Sequence, residues 1–267
     1  MEQLGAHRRT IVAVPADANA AVTVEVAVDS LAGARAAADA GASRLELCLG
    51  LELGGLTPSL GLLTAVKAAV RIPVFTMVRP RGGDFLYDRD EFATMLRDIA
   101  SLRAHGADGI VSGVLTADGA LDRERLRELR AATGPAPFTC HRAFDLCADW
   151  RAAIDVLADL GVPRVLTSGQ AANATAGIAT LRAVVEHAAD RLMVMAGAGV
   201  RDTNVGRLVA ATGVREVHLS ATAWRASAMR HRHPGVPIGG ALPADEFTVR
   251  STDGAMVARL VAELRRG

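Results

Sequence analysis

No apolar run in the 267 residues approaches the roughly 18 that a membrane span needs, and the short run at 11–14 stops at Pro15. His7, Arg8 and Arg9 precede that run as they would in a secretory signal, but the apolar region falls short of the usual 7 to 15 or so residues. Residues 1–20 are therefore expected to form a flexible N-terminal tail, followed by a single domain over 21–267. Cysteine is scarce: Cys48, Cys140 and Cys147 make neither an even framework nor a CxxC pair, which excludes a disulfide scaffold and suits the reducing cytoplasm. Aromatics are scarcer for this length, with two Trp, one Tyr and six Phe, so Ala, Val and Leu must pack the interior, and α/β is favoured over all-β. Excess charge is missing too. With 30 basic and 29 acidic residues there is no global field to draw nucleic acid or a membrane surface, and the expected partner is a small molecule or a metal ion.

What is present is a repeating beat of strand, polar loop and helix every 25 to 35 residues or so. Strands are expected at 22–28, 44–48, 74–79, 109–112, 138–142, 164–168, 192–196 and 216–220. Helical spacing covers 31–40, 60–70, 90–104, 123–132, 150–160, 174–189, 204–211 and 253–265. Gly41, Gly106, Gly134, Gly161 and Gly213 follow helices, where a left-handed C-terminal cap needs glycine. Thr57-Pro58 reads as an N-cap followed by a proline in the first turn. Eight strand–helix units in a chain near the roughly 250 residues typical of the fold predict an α/β protein, a parallel eight-stranded (β/α)8 TIM barrel. The other fold with this alternation, an open doubly wound sheet, lacks its glycine fingerprint here. Residues 221–252, rich in Pro, Gly, Arg and His, are the most irregular stretch.

Side chains alternate along a strand, so one parity faces the barrel axis. In TVEVAVD the valines suit the helix-packed side and turn Glu25 and Ala27 inward; in RLELC the leucines go outward and leave Arg44, Glu46 and Cys48 inside. The same rule turns Arg79, Thr139, His141, His218 and Ser220 inward, mostly at C-terminal strand ends where barrel enzymes carry their ligands. Glu25, Glu46 and His141 are thus candidate acid/base groups, with His218 beside them. The plainer alternatives are an ion network of Arg44 and Glu46 in a lower barrel layer and a satisfied core histidine at 141. Cys140 and Cys147 read as small core hydrophobes.

Several loops carry chemistry. In RPRGGDF, paired glycines let backbone approach a ligand while Arg79, Arg81 and Asp84 supply charge; the alternative is a tight turn in which Arg81 and Asp84 pair with each other. Arg142 and Asp145 follow the fifth strand. Ser168 and Gly169 end the sixth, Gly197 and Gly199 the seventh, and His218 and Ser220 the eighth, where small residues expose N–H groups to a phosphate or carboxylate.

With these residues placed, ELCLGLELGGLTPSLG, VRPRGGDFLY, GADGIVSGVL, FTCHRAFDLC, RVLTSGQ, MAGAGV, EVHLSA and MRHR, in that order, make the chain resemble the CutC family from about Val24 to the last helix. The family is described as copper homeostasis proteins with a β/α-barrel fold. The resemblance implies cytosolic copper binding or trafficking, Cu(I) on cysteines near the ends of the first two strands, and a homo-oligomer. This chain keeps Cys48 but has Ala27 at the matching first-strand position, so Met77, His141 or another subunit would have to complete the metal site. His233 stands where the family pattern has Asn. The residues alone support a second reading, an enzyme or binding protein for a small anionic metabolite, phosphorylated ones included, and leave open whether the protein is catalytic.

Overall fold

A computed structural model describes residues 21–233 and 246–266; the tail expected at 1–20 lies outside them. Eight parallel strands close into a barrel in chain order: β1 (Thr23–Val28), β2 (Arg44–Leu47), β3 (Val74–Met77), β4 (Gly109–Ser112), β5 (Phe138–Cys140), β6 (Arg164–Thr167), β7 (Met193–Ala196) and β8 (Glu216–Leu219). The helices are α1 (Leu31–Asp39), α2 (Leu60–Ala69), α3 (Arg89–Ala104), α4 (Arg123–Thr133), α5 (Trp150–Asp159), α6 (Ile178–Ala188), α7 (Val205–Thr212) and α8 (Gly254–Leu264). This is the (β/α)8 TIM barrel that the strand–helix beat predicts.

Helix starts are written locally. Ser30, Asp88, Asp122, Asp149 and Asp253 each accept a backbone N–H of the first turn, and Asp88 forms a reciprocal capping box with Glu91. The cap of α2 is not Thr57, as the Thr-Pro pair suggests, but Ser59, whose Oγ accepts from Leu62 N. Thr57 instead takes the backbone N–H of Arg79 at 3.0 Å and so ties the β2–α2 loop to the end of β3. The start of α6 is also later than the alanine pattern suggests, at Ile178, because residues 171–177 turn before the helix begins.

Strand parity decides what fills each layer. Val24, Val26, Val28, Leu45 and Leu47 belong to the apolar core shared with the helices, and so do Cys140 and Cys147. Inside the barrel, Cys48, Phe75, Met77 and Val111 form a second, smaller cluster. Gly109 makes room for the Phe75 ring: a Cβ there would sit 2.6 Å from it. The Arg44 and Arg164 guanidinia lie over that ring, 4.9 and 5.6 Å from its centroid.

One stretch departs from expectation. Within 221–252, β9 (Thr222–Ala226) and β10 (Thr248–Thr252) pair antiparallel beside the barrel. Arg250 ties the pair to the end of β1 through Asp29, at 3.0 Å. The isolated five-residue strands lack the apolar alternation that reveals a strand: β9 is largely exposed.

Candidate functional site

The lower barrel is an ion network. Arg44 bonds Glu25 on the neighbouring strand and Glu216 at 2.5 Å, and Arg164 grips Glu216 with two bonds of 2.6 and 2.9 Å. Two guanidinia and two carboxylates therefore compensate one another inside the barrel, as burial requires. The plain alternative for this layer is right in kind but differs in members: Arg44 pairs with Glu25 and Glu216, not with Glu46. Parity alone would have found Glu216 and Arg164, because both sit in phase with inward residues on β8 and β6.

Above this layer the register places Glu25 opposite His218, and Ala27 opposite Glu46. His218 Nδ1 lies 2.8 Å from Glu25 Oε1. Burial alone would push the Glu25 carboxyl up, but the His218 hydrogen bond and the Arg44 charge hold it down at about 2. Glu25 is therefore an ionised, fully buried orienting group beneath the cavity rather than a group exposed to a ligand. Glu46 differs. Burial pushes it up to about 7 against the pull of His218, its Oε2 is 3.8 Å from His218 Nε2, and its Oε1 has no hydrogen-bond partner among the described residues. Glu25, Glu46 and His218 each offer a donor atom within 4.8 Å of the others.

A cavity of about 370 Å³ opens above Glu46 and His218 at the C-terminal ends of the strands. Its walls include Met77, Arg79, Phe85, His141 and Leu166; the loops after β7 and β8 contribute Gly199, Arg201, Ser220 and Ala221. Arg142 stands at its edge, bonded at 2.7 Å to Asp145, which also accepts from the Thr167 hydroxyl, Ser168 N and Gln170 N. Asp145 is thus an anchor for the β6 loop. Ser168 is buried on Asp145 and on the Ala171 carbonyl. Gly169 faces Gly177: a Cβ on it would meet the Gly177 carbonyl at 2.6 Å. Gly197 makes room for Leu166 and His218, two cavity walls. Ala198 and Ala221 hold positive φ, 72° and 42°, a strained backbone of the kind concentrated at sites.

His141 lines the cavity and is 3% exposed. Its Nδ1 accepts the Ala143 N–H at 3.2 Å, which assigns the ring proton to Nε2, and Nε2 has no partner among the described residues. Burial and the nearby Arg79 charge hold its basicity down, to about 3, so the ring stays neutral. Arg79 gives three carbonyls, those of Leu53, Gly55 and Gly83, its Nη hydrogens. Arg81 and Asp84, singled out in the same loop, pair with each other at 3.0 Å; Arg81 also bonds Glu91, and neither residue lines the cavity. Besides Arg79 the loop contributes Phe85 to the cavity, which the glycine motif did not announce.

Cys48 is fully buried and donates to the Val28 carbonyl at 3.7 Å. Burial, with the negative charge of Glu46 and Asp29 added, pushes its thiol well above the ordinary range. It does not line the cavity, and Ala27 does. Two thiolates for a cuprous ion are therefore not present on β1 and β2; the donors that do converge are imidazole and carboxylate.

A model of the CutC family matches residues 22–223. The family protein CutC of Klebsiella pneumoniae strain 342 is 49% identical over 237 residues, 89% of this chain and 95% of that protein. The human copper homeostasis protein cutC homolog is 45% identical over 239 residues, 90% of this chain and 88% of its own length. The crystal structure of a CutC from Streptococcus agalactiae superposes with a TM-score of 0.70 at 33% identity, covering 74% of this chain and 97% of that one.

Proposed function

The chain belongs to the CutC family, and from that premise we propose that it serves copper homeostasis by holding a copper ion at the floor of its barrel mouth. The ligands are His218 Nε2 and the Glu46 carboxylate. Glu25 orients the imidazole from behind, and the remaining coordination positions open into the cavity.

One observation carries this reading: a carboxylate, Glu25 Oε1, sits 2.8 Å from His218 Nδ1 while Nε2 turns toward a second carboxylate with an unpartnered oxygen. Metal-binding histidines are commonly oriented in this way, their second nitrogen bonded to a carboxylate that fixes the ring and raises its basicity. Imidazole nitrogen with carboxylate oxygen suits Cu(II), whereas cuprous ion prefers thiolate and thioether. Among the described residues no helix is long and apolar enough to cross a membrane.

Chelator competition with Cu(I) and Cu(II), together with electron paramagnetic resonance of the Cu(II) form, tests the assignment. Wild type and Cys48→Ala should bind Cu(II) alike and show nitrogen hyperfine splitting. His218→Ala should abolish that splitting, and Glu46→Gln should weaken binding by about tenfold or more. Loss of copper in Cys48→Ala with retention in His218→Ala would overturn it.

A further inference from the structure

A copper ion on Glu46 and His218 does not account for the cavity above them. The cavity has a volume of about 370 Å³, within the range of small-molecule sites. Its polar groups are also the wrong sign for a metal alone. Among the described residues lining it, Glu46 is the only acid, against Arg79, Arg142 and Arg201.

The three arginines are not equivalent. Arg142 is neutralised by Asp145. Arg201 is exposed at the rim. Arg79 is 5% exposed and its partners are all uncharged, so its positive charge is buried without a carboxylate partner among the described residues. Its nearest side-chain partner is the Tyr87 hydroxyl, a neutral group that takes a weak hydrogen bond from it and feels its charge but supplies no counter-charge. A buried cation left in this state is costly unless a counter-ion joins it. The neighbouring wall carries a second cavity-lining side chain whose donor has no partner among the described residues, His141 with its Nε2–H. Both side chains lean on the same Phe85 ring, the Arg79 guanidinium carbon 5.0 Å and the His141 ring centre 4.7 Å from its centroid. The opposite edge of the imidazole is closed: a Cβ on Gly113 would come 2.8 Å from Nδ1, so the ring is wedged against that strand end.

We propose that Arg79 and His141 form an anion receptor in the wall of the barrel mouth, which holds the carboxylate or phosphate group of a small organic acid. Arg79 supplies the charge and His141 donates one hydrogen bond from Nε2. Being neutral, the imidazole can only donate from that atom, so it selects an acceptor oxygen and rejects an N–H. The rest of the ligand occupies the space between Leu166 and the loops after β7 and β8. This receptor does not depend on the copper reading, since neither residue belongs to the His218 and Glu46 pair.

The test uses metal-free full-length protein with chelator present, so that a failure here is separate from a failure to bind copper. Pyruvate and inorganic phosphate are titrated by calorimetry, and the His141 Nε2–H is followed by ¹⁵N-resolved NMR. Saturable binding of either probe with a downfield shift of that proton is the expected result, and the probe that binds identifies carboxylate or phosphate as the group accepted. His141→Phe, which keeps a ring against Phe85, should weaken binding about tenfold or more while circular dichroism is unchanged. Because Arg79 also pins three loop carbonyls, Arg79→Lys is the milder second variant and should weaken binding similarly. Silence of both probes in wild type, a stationary Nε2–H resonance, or undiminished affinity in His141→Phe overturns the proposal.

Discussion

Removing Glu216 should be far more damaging than removing Glu216 and Arg164 together. In the folded barrel Glu216 accepts from Arg164 at 2.6 and 2.9 Å and from Arg44 at 2.5 Å, and it is 5% exposed. Glu216→Gln keeps the shape but deletes one of two negative charges that balance two guanidinia. Breaking a buried pair by removing one partner costs about 3 to 5 kcal/mol, because a charge is left uncompensated. Pairing that change with Arg164→Met restores neutrality: Arg44 keeps Glu25, and the methionine packs over Phe75, where the Arg164 guanidinium now lies. The double variant should therefore lie within about 2 kcal/mol of wild type, giving a coupling of about 2 kcal/mol or more in a double-mutant cycle. Urea unfolding at constant m-value, followed by circular dichroism for all four proteins, measures it. A Glu216→Gln variant that loses under about 1 kcal/mol, or a double variant that loses the sum of the singles, would refute the view that charge balance holds this layer together.

Other consequences follow from the same structure. His141 is held neutral with its pKa at about 3, below its ordinary 6.5, so the unfolded chain binds the extra proton between those values. Its contribution to stability is full above about pH 6.5 and is lost as pH falls toward 3, and His141→Phe should flatten that limb of the unfolding free energy against pH. Gly177→Ala should destabilise by about 3 kcal/mol or more, because the new Cβ would sit 1.9 Å from the Ser168 carbonyl oxygen, a backbone atom that cannot swing aside; thermal unfolding reads it, and an unchanged midpoint contradicts the packing. Phe138→Ala should cost about 3 to 5 kcal/mol for its fully buried ring, measured in the same way. Native Cys48 should resist a maleimide until the protein unfolds, since its thiol is inaccessible and its ionisation suppressed; rapid labelling of the folded protein would contradict its burial.

Local periodicity carried much of the architecture. Eight apolar strands with a period of two, Ala- and Leu-rich helices between them, and capping Ser and Asp residues are short-range signals, and the barrel follows from their repetition. Parity went further and placed Glu46, Arg79, His141, His218 and Ser220 at one mouth, where the cavity has them on its walls. It has nothing to say of loops. In RPRGGDF the tight-turn alternative holds, since Arg81 pairs with Asp84 and with Glu91 outside the cavity, while Phe85 enters it without any charge or glycine signal to mark it. The β9–β10 pair escaped notice because its strands are short and largely exposed, so no apolar alternation marks them.

By itself, then, the order of residues determined the fold class, the family resemblance and which side chains turn toward the barrel axis, since each depends on periods and motifs within a few tens of residues. Only the closed barrel decided which of two similar glutamates is committed. Strand register set Glu25 beside Arg44 and His218, ionised and saturated, and left Glu46 one level higher with a free oxygen at the cavity. That difference arises between residues up to 193 positions apart. It exists only when β8 closes against β1, because partners so distant meet only by that closure.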